Sequence, residues 1–173
     1  MKLQPLVIAA ILIQVLFTGC MSMRTIKPSG LKGISLGDPM PELNVTRMLG
    51  HPAHDSIIEE GEYSWRAMII EHPSGDILVE SDYFDQNKIN RIQIKARDLR
   101  YQKHITVGST VDALSSLSQR WFITHLPDYD RVDLTIEGLH FLIDDTFLET
   151  KSEEAIQKDD IPKDAQILAI ILM

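Results

Sequence analysis

The pattern of hydrophobic and polar positions contains one motif twice, at an offset of 71 residues. In each copy two apolar residues flank a polar one, a glycine follows, and a leucine stands six residues after the glycine. The equivalent pairs are Ile34 and Ile105, Leu36 and Val107, Gly37 and Gly108, and Leu43 and Leu114. Such alternation indicates a short extended piece, and glycine is the residue that most readily makes a turn. The pattern therefore predicts two units of similar build.

A helix is expected to begin just after each glycine. Ser109 or Thr110 suits the N-cap position in the second copy, and three apolar residues with helical spacing follow it. Asp38 suits the same position in the first copy, where Pro39 fits the first helical turn but Pro41 keeps the helix short. Each unit is thus predicted to start with a helix.

Partly alternating apolar and polar residues after each helix are typical of antiparallel strands. The predicted strands cover residues 63–71, 76–84 and 88–96 in the first unit and 131–137, 139–144 and 166–173 in the second. An acidic, helix-prone insert at 145–165 precedes the last strand. The sequence therefore predicts an α+β fold of two repeated helix-plus-three-stranded-antiparallel-sheet units, at residues 33–103 and 104–173.

The amino terminus has the pattern of a secretory signal peptide. Lys2 precedes a mostly apolar run of 12 residues at 6–17, whereas a helix needs ~20 residues to cross the hydrocarbon core. The run ends in Phe17-Thr18-Gly19-Cys20, which resembles the lipobox of bacterial lipoproteins except that leucine is commoner in the place of Phe17. An uncleaved anchor and a plain signal peptide with an accidental cysteine are the alternatives.

This resemblance implies a signal peptide at 1–19, a lipid on Cys20 and a tether at 20–32. Met21 follows the cysteine where an aspartate would retain the protein in the inner membrane. We therefore expect an outer membrane lipoprotein on the periplasmic face, held in the membrane by the lipid anchor on Cys20.

Composition and charge narrow the choice of partners. The chain of 173 residues is 44% hydrophobic and 24% charged, with a formal net charge of -8. An acidic chain without a lysine or arginine cluster argues against nucleic acid and against peripheral binding to anionic lipid. Cys20 is the single cysteine, so an intramolecular disulfide is excluded and a covalent use of this thiol is the simplest explanation.

The first unit resembles the small outer-membrane lipoproteins of the SmpA/OmlA type, the small subunit of the barrel-assembly machinery. Four features carry the resemblance in order: Gly37 opening a helix, Leu49-Gly50-His51-Pro52 at its end, Trp65 in the next strand, and Leu78, Phe84 and Ile92 beyond it. The matching segment, 37–92, is about a third of the chain. The resemblance implies a helix packed on an antiparallel sheet and a habit of protein binding.

Two departures from that family matter. Prolines stand where its first helix should run, and this chain has two units where the family has one. The doubled plan is closer to the tandem repeats of the β-lactamase-inhibitor-protein fold, which binds another protein with its sheet. Membership of the assembly machinery itself does not follow.

No motif predicts catalysis or metal binding. His51, His54 and Asp55 form the densest group, but Pro52 indicates a loop and no third histidine or cysteine is near in sequence, so two solvated histidines are the simpler interpretation. Ser109 is better explained as a helix cap than as a nucleophile. We therefore expect no cofactor, no metal and no enzymatic activity.

Three large aromatic residues of the second unit are candidates for a protein-binding surface, namely Trp121, Phe122 and Tyr129. Trp121 and Phe122 are adjacent, so at a helix end only one of them can face the core fully. Exposed aromatic residues often anchor protein interfaces. Shared burial against the second sheet is the alternative.

Together these features predict a membrane-anchored periplasmic lipoprotein that is a non-catalytic protein-binding or scaffold module in envelope assembly or maintenance. Another envelope protein is the expected partner. The tandem plan leaves open an inhibitor or sensor of an envelope enzyme. An envelope enzyme whose catalytic residues are scattered along the chain is a third hypothesis.

Overall fold

The computed structural model describes residues 25–102, 104–118, 120–148 and 156–173. Within these ranges the strands are β1 (Thr25–Ile26), β2 (Gly30–Leu31), β3 (Ile34–Ser35), β4 (Arg47–Met48), β5 (His51–Glu60), β6 (Tyr63–Ile70), β7 (Ile77–Ser81), β8 (Ile89–Ile94), β9 (Arg100–Tyr101), β10 (Phe122–Leu126), β11 (Arg131–Ile136), β12 (Leu139–Asp144) and β13 (Ile167–Leu172). The helical segments are α1 (Val111–Leu114) and two 3-10 helices, Pro127–Tyr129 and Lys158–Asp160. Among the described residues no helix is long and apolar enough to span a membrane.

Nine of these strands form one antiparallel sheet in the order β10-β11-β12-β13-β8-β7-β6-β5-β4. Strands β4 to β8 make one meander, strands β10 to β13 make a second, and the meanders join where β13 pairs with β8. Two small sheets complete the fold: β1 pairs with β9 in parallel, and β2 pairs with β3 antiparallel.

The hydrophobic core lies against one face of the nine-stranded sheet. In β11 and β12 every second residue is apolar and fully buried, as the period of two in a strand requires. Residues from the small sheets and from α1 belong to the same core cluster, among them Ile26, Leu31, Ile34, Val111 and Leu114, together with Ile105 from the segment before α1. The short elements that precede each meander therefore cover the apolar face of the sheet.

The predicted α+β class is wrong, because the described structure is mostly strand, with 49% strand against 6% helix. No helix follows Gly37 in the described structure, and Pro39 instead forms an antiparallel bridge with Lys88. In the second copy the helix is one turn long, and its N-cap residue Thr110 makes no side-chain capping bond. The hydroxyl of Ser109 accepts the N–H of Thr106 at 3.0 Å, so this serine holds the turn before the helix.

The predicted three strands per unit are also wrong, because the first meander has two further strands at its outer side, β4 and β5, and the second has one, β10. β5 covers the segment interpreted as a histidine loop, and β10 contains Phe122. Within β5 only Ala53 is buried, and no residue of β10 is fully buried. An outer strand with a solvent-exposed face and few core contacts needs no alternation of apolar residues. The hydrophobic pattern therefore did not predict β5 or β10. The insert at 145–165 contains only a 3-10 helix in its described part.

The two glycine turns make equivalent hydrogen bonds to the last strand of the meander that follows each of them. The N–H of Gly37 donates to the carbonyl of Ile89 at 2.7 Å, and the N–H of Gly108 donates to the carbonyl of Ile167 at 2.7 Å. The N–H groups of the same two isoleucines donate back to the residues after the glycines, at 2.8 and 2.9 Å. Both glycines have positive φ, +82° and +87°, which glycine adopts without strain. The two turns that are similar in sequence thus make the same backbone hydrogen bonds.

The pairing of β8 with β13 relates the two halves by an approximate twofold axis. Ile92 lies opposite Leu172, and Ile94 lies opposite Ile170. With Ile89 and Ile167 as the first residues, the fourth residue of each strand faces the sixth residue of the other. Exchanging the strands therefore leaves the register unchanged, and the axis passes through the pair between them. The nine-stranded sheet is built from two similar meanders back to back.

Candidate functional site

A cavity of about 640 Å³ opens between the β2–β3 hairpin and the adjacent end of the nine-stranded sheet. Most of its wall is apolar, with polar groups from a lysine, two histidines and an aspartate. Its lining comes from residues 31–33, Leu49 and His51, His72 and Pro73, Ile77, and 98–99. A cavity of this size with a few converging polar groups is the usual form of a small-molecule site.

The two histidines of the cavity contact each other. The rings of His51 and His72 meet edge to face, with centroids 4.4 Å apart. His51 begins β5, and His72 lies in the connection between β6 and β7. Neighbouring strand ends therefore bring together two residues that are 21 positions apart in the chain.

His72, Ser74 and Asp98 form a hydrogen-bonded cluster beside the cavity. The Ser74 hydroxyl donates to Asp98 Oδ1, and His72 Nδ1 lies 3.0 Å from the same hydroxyl oxygen. The backbone N–H of Ser74 donates to His72 Nδ1 at 3.3 Å. In a catalytic triad the imidazole stands between serine and acid and takes the serine proton. Here the hydroxyl is bonded directly to the carboxylate, so the cluster fixes the turn and does not prepare a nucleophile.

Gly75 explains why this turn lies so close to the next strand. Its φ is +134°, and a Cβ at this position would stand 2.4 Å from the carbonyl oxygen of Lys95. Only glycine allows such an approach without a backbone shift. The His-Pro-Ser-Gly sequence at 72–75 thus places Ser74 within reach of Asp98.

A second feature is an exposed cluster of three aromatic residues, Tyr63, Tyr83 and Phe84, which we call the aromatic patch. The ring of Tyr83 meets Tyr63 at 4.8 Å and Phe84 at 4.9 Å between centroids, both edge to face. The three residues are 56%, 41% and 93% exposed. Aromatic residues are enriched at protein interfaces, and a contiguous exposed group of them is a candidate interaction surface.

The turn that carries Phe84 is held by its own carboxylates. Asp82 accepts the N–H of Phe84 at 2.6 Å and the N–H of Asp85 at 3.2 Å, and Asp85 accepts the N–H of Asn87 at 3.2 Å. The pKa of Asp85 lies below its ordinary value, first because Lys88 hydrogen-bonds its carboxylate and then because of the Asn87 N–H. Phe84 is therefore exposed on an ordered turn.

Among the described residues, the predicted aromatic residues of the second half make no ring contact with this patch, although Tyr129 hydrogen-bonds Glu60, the cross-strand partner of Tyr63. Trp121 is half-buried, donates its indole N–H to the carbonyl of Ser118 at 2.7 Å, and has the ammonium of Lys158 3.9 Å from a ring centroid. Phe122 is 72% exposed at the start of β10. Tyr129 is 57% exposed beyond the other end of that strand. The three do not form one continuous cluster.

Tyr129 connects the outer parts of the two meanders. Its hydroxyl donates to Glu60, which ends β5. This hydrogen bond is the main reason that the pKa of Tyr129 is raised above its ordinary value, with the charge of Glu60 adding to it. The contact lies between two connections that are equivalent under the approximate twofold axis.

The predicted histidine group does not converge on one point. His54 Nδ1 lies 3.4 Å from Glu71, whereas Asp55 accepts the N–H of Asn44 at 2.9 Å. Among the described residues no group of three metal-ligating side chains is close enough to hold a metal ion. Cys20, the predicted lipidation site, lies outside the described residues.

Two largely buried histidine–aspartate pairs escaped the sequence analysis. His140 Nδ1 lies 2.7 Å from Asp133 across the hairpin of β11 and β12, and His125 Nε2 lies 3.0 Å from Asp145. The tight turn at Glu137-Gly138 fixes the hairpin register, so the first pair was within reach of sequence reasoning. Nothing in the sequence around His125 or Asp145 indicates the second pair.

The fold is similar to a solved structure of unknown role. The crystal structure of the uncharacterized protein yfeY from Escherichia coli matches with a TM-score of 0.53, over 80% of this chain and 95% of that protein, at 14% sequence identity. No family model and no curated protein matches the chain. The resemblances to the SmpA/OmlA-type lipoproteins and to the β-lactamase-inhibitor-protein fold therefore receive no support. At 14% identity the likeness to yfeY shows the fold alone.

Proposed function

We propose that the protein is a membrane-anchored lipoprotein of the periplasmic face of the outer membrane, and that it serves as a non-catalytic binding module for another envelope protein. The leader pattern ending at Cys20 supports the anchor. The observation that carries the binding role is Phe84, a phenylalanine that is 93% exposed on a hydrogen-bonded turn. A large apolar side chain that is solvent-exposed and held on an ordered turn is the kind of residue that anchors protein interfaces.

The order of the aromatic patch favours binding over accidental exposure. The carboxylate of Asp82 holds the turn, and Gln86 donates to the carbonyl of Ser64 at 3.2 Å, which ties the turn to the strand that carries Tyr63. A surface that is ordered before binding loses less conformational entropy in the complex. The patch therefore presents its rings in fixed positions.

Charge around the patch indicates the chemistry of the partner. Glu62 precedes Tyr63, and Asp82 and Asp85 flank the two other rings. The formal charge of the whole chain is also negative, -8. The partner surface is therefore expected to combine apolar side chains with lysine or arginine, and the binding is expected to weaken with salt.

Site-specific photocrosslinking in cells tests this role. A photoreactive residue at Tyr63 should form one crosslinked product in the envelope fraction, and Phe84→Ser should reduce it by about tenfold, the size of an interface anchor. Phe122→Ser is the matched control, because it removes the same apolar ring from a 72% exposed position on β10, the edge strand at the other end of the strand order. If crosslinking persists in Phe84→Ser and is lost in Phe122→Ser, the binding surface lies in the second half and not at the aromatic patch. Crosslinking that neither variant changes would contradict both surfaces.

The anchor is tested separately. Cys20→Ser should release the protein from the outer membrane fraction into the soluble periplasm, because the lipid provides the attachment. A Cys20→Ser protein that stays in the outer membrane fraction would contradict lipid anchoring and leave the crosslinking result unaffected.

A further inference from the structure

Strand β10 forms one end of the nine-stranded sheet, and its outer edge is open. It pairs with β11 through all five of its residues, and no further strand follows it in the strand order. Within the described part of the chain, no backbone group of residues 122–126 makes a hydrogen bond outside that pairing. Every second residue of such a strand turns its N–H and C=O groups away from the neighbouring strand, where they can pair with another one.

The equivalent strand of the other half is protected, which makes the two ends of the sheet different. β4 pairs with the start of β5, and the N–H of Ala53 donates to the carbonyl of Thr46 at 3.0 Å. Asp55, Glu59 and Glu60 place negative charges along β5. Cover by another segment and charged side chains are two usual means of preventing an edge from pairing.

The composition of β10 favours pairing instead. Residues 122–126 include no aspartate, glutamate, lysine, arginine, proline or glycine. Phe122 is 72% exposed and Thr124 is exposed, whereas the side chain of His125 is 11% exposed and lies 3.0 Å from Asp145. An uncharged edge strand that is open to solvent is a site where another strand can add to the sheet.

The strand is complementary to a second copy of itself in the antiparallel direction. With Thr124 opposite Thr124 of the partner subunit, all five residues pair, and Phe122 stands opposite the partner's Leu126. Arg120 and Asp128, which flank the strand, are both exposed and are opposite in charge. This register brings Arg120 of each copy toward Asp128 of the partner subunit, so the charges at both ends attract.

A twofold strand pairing of this kind already joins the two halves of the chain. β8 and β13 belong to similar meanders and pair in a register that their exchange leaves unchanged. Pairing of β10 with its copy uses the open edge of both chains, so the assembly closes as a dimer. The same alignment of β5, centred on Ile57, would set Asp55 opposite Glu59 of the partner subunit, and like charges in that arrangement destabilise a strand pair.

We propose that the protein forms a symmetric dimer in which β10 pairs antiparallel with β10 of a second copy, with Thr124 on the twofold axis. The pairing joins two nine-stranded sheets into one and covers Phe122, an exposed ring outside the aromatic patch. Each copy contributes one strand of five residues, so the contact is smaller than a standard interface. The dissociation constant is therefore expected to be on the order of micromolar.

Sedimentation equilibrium of the full chain in a density-matched detergent, from about 1 to 100 µM, tests the dimer. The parent chain should change from monomer to dimer over this range. Thr124→Lys and Thr124→Glu should each weaken dimerisation at least about tenfold, because two like charges then face each other on the axis. An equimolar mixture of these two variants should dimerise at least as tightly as the parent chain, since lysine then faces glutamate.

Ile57→Lys and Ile57→Glu are the matched controls, because Ile57 is a 66% exposed residue on β5, the outer strand that the proposal does not use. Both should dimerise as the parent chain does. The proposal is overturned by a parent chain that stays monomeric, by Thr124 variants that dimerise like the parent, or by a mixture no tighter than its components. Equal weakening by the Ile57 variants would overturn it as well.

The register is tested by crosslinking Thr124→Cys. Residues directly opposite in an antiparallel pair have Cβ atoms about 5 Å apart, so a short bis-maleimide should link two copies of this variant. Ile57→Cys should give no more crosslinked dimer than the parent chain, whose single cysteine is Cys20. Equal linking in Thr124→Cys and Ile57→Cys would contradict the pairing of β10. None of these variants alters Cys20 or the aromatic patch, so failure of the dimer leaves the tests of the proposed function unaffected.

Discussion

At the residue scale, the buried carboxylate of Glu80 shows how the sheet accommodates a charge on the face opposite the core. Glu80 is fully buried, and Arg91 on the next strand donates to both of its oxygens at 2.7 Å. The indole N–H of Trp65 donates to one of them at 2.9 Å. The carboxylate is therefore paired and fully hydrogen-bonded, which is the condition for burying a charge at tolerable cost.

Removing the arginine should be more harmful than removing an exposed lysine. Arg91→Met leaves Glu80 without its cation and should lower the free energy of unfolding by about 3 kcal/mol, because an uncompensated charge remains buried. Lys88→Met, which removes an exposed ion pair with Asp85, should cost less than about 1 kcal/mol. Urea unfolding measures both, and the double variant Glu80→Met/Arg91→Met should recover much of the loss. Equal costs for the two single variants would contradict this account.

At the element scale, the two glycine turns use different side chains for the same hydrogen bond. Asp38 accepts the N–H of Ser35 at 2.8 Å, and Ser109 accepts the N–H of Thr106 at 3.0 Å. Aspartate and serine are both suited to accepting a nearby backbone N–H in this way. The turns are interchangeable in geometry although their side chains differ.

Exchange of these side chains should therefore be tolerated, and their loss should not. Asp38→Ala and Ser109→Ala should each cost about 1 kcal/mol, the usual value of a lost capping-type hydrogen bond. Asp38→Ser and Ser109→Asp should each stay within about 0.5 kcal/mol of the parent chain. Chemical denaturation with an unchanged slope checks all four. Exchange variants as unstable as the alanine variants would show that the two turns are not equivalent.

At the scale of the whole molecule, one continuous sheet should make the two halves unfold together. β8 and β13 pair along the seam, and Ile92, Ile94, Ile170 and Leu172 are all fully buried there. Each half carries one tryptophan, Trp65 in the first and Trp121 in the second. Trp121→Phe and Trp65→Phe then give two chains whose fluorescence reports on one half each.

In each single-tryptophan chain the fluorescence transition should coincide with the far-ultraviolet circular dichroism transition, as two-state unfolding requires. Trp65→Phe removes a hydrogen bond to Glu80, so its midpoint should be lower, but its two probes should still agree. A fluorescence transition separate from the circular dichroism transition in either chain would mean that the halves unfold independently.

The contact between the outer ends of the meanders should depend on pH. The pKa of Tyr129 is raised, chiefly by the hydrogen bond to Glu60, so folding favours the protonated phenol. The stability from this contact is present below the ordinary tyrosine pKa of about 10 and is lost as the pH rises through the folded value. Tyrosinate absorbance should show Tyr129 titrating late, and Glu60→Gln should bring it back toward about 10.

Tyr101 is the internal control for that titration, because its pKa is raised mainly by burial and should not move in Glu60→Gln. Tyr129→Phe should remove the late-titrating group and so assign it. A titration of Tyr129 that Glu60→Gln leaves unchanged would contradict the hydrogen bond as the cause.

Sequence alone determined the features of this protein that depend on near neighbours in the chain. The glycine turns at 37 and 108 were predictable because a positive φ and a hydrogen bond three residues away are local requirements. The inner strands followed from their apolar alternation, and the expectation of a lipid on Cys20 depends on contiguous residues at the amino terminus.

Only the tertiary structure decided the remaining features, because they depend on which strands become neighbours. The first predicted helix did not form and the second is one turn long, because residues after each glycine pair with a strand of the sheet or its flank, Pro39 with Lys88 and Thr110 with Gln166. Outer strands such as β10 bury too few residues to produce a recognisable hydrophobic pattern. The pairing of β8 with β13 joins segments that are distant in the chain. The aromatic patch and the cavity arise the same way: Tyr63 meets Tyr83, and His51 meets His72, across adjacent strand connections. No local sequence pattern predicts such contacts between distant residues.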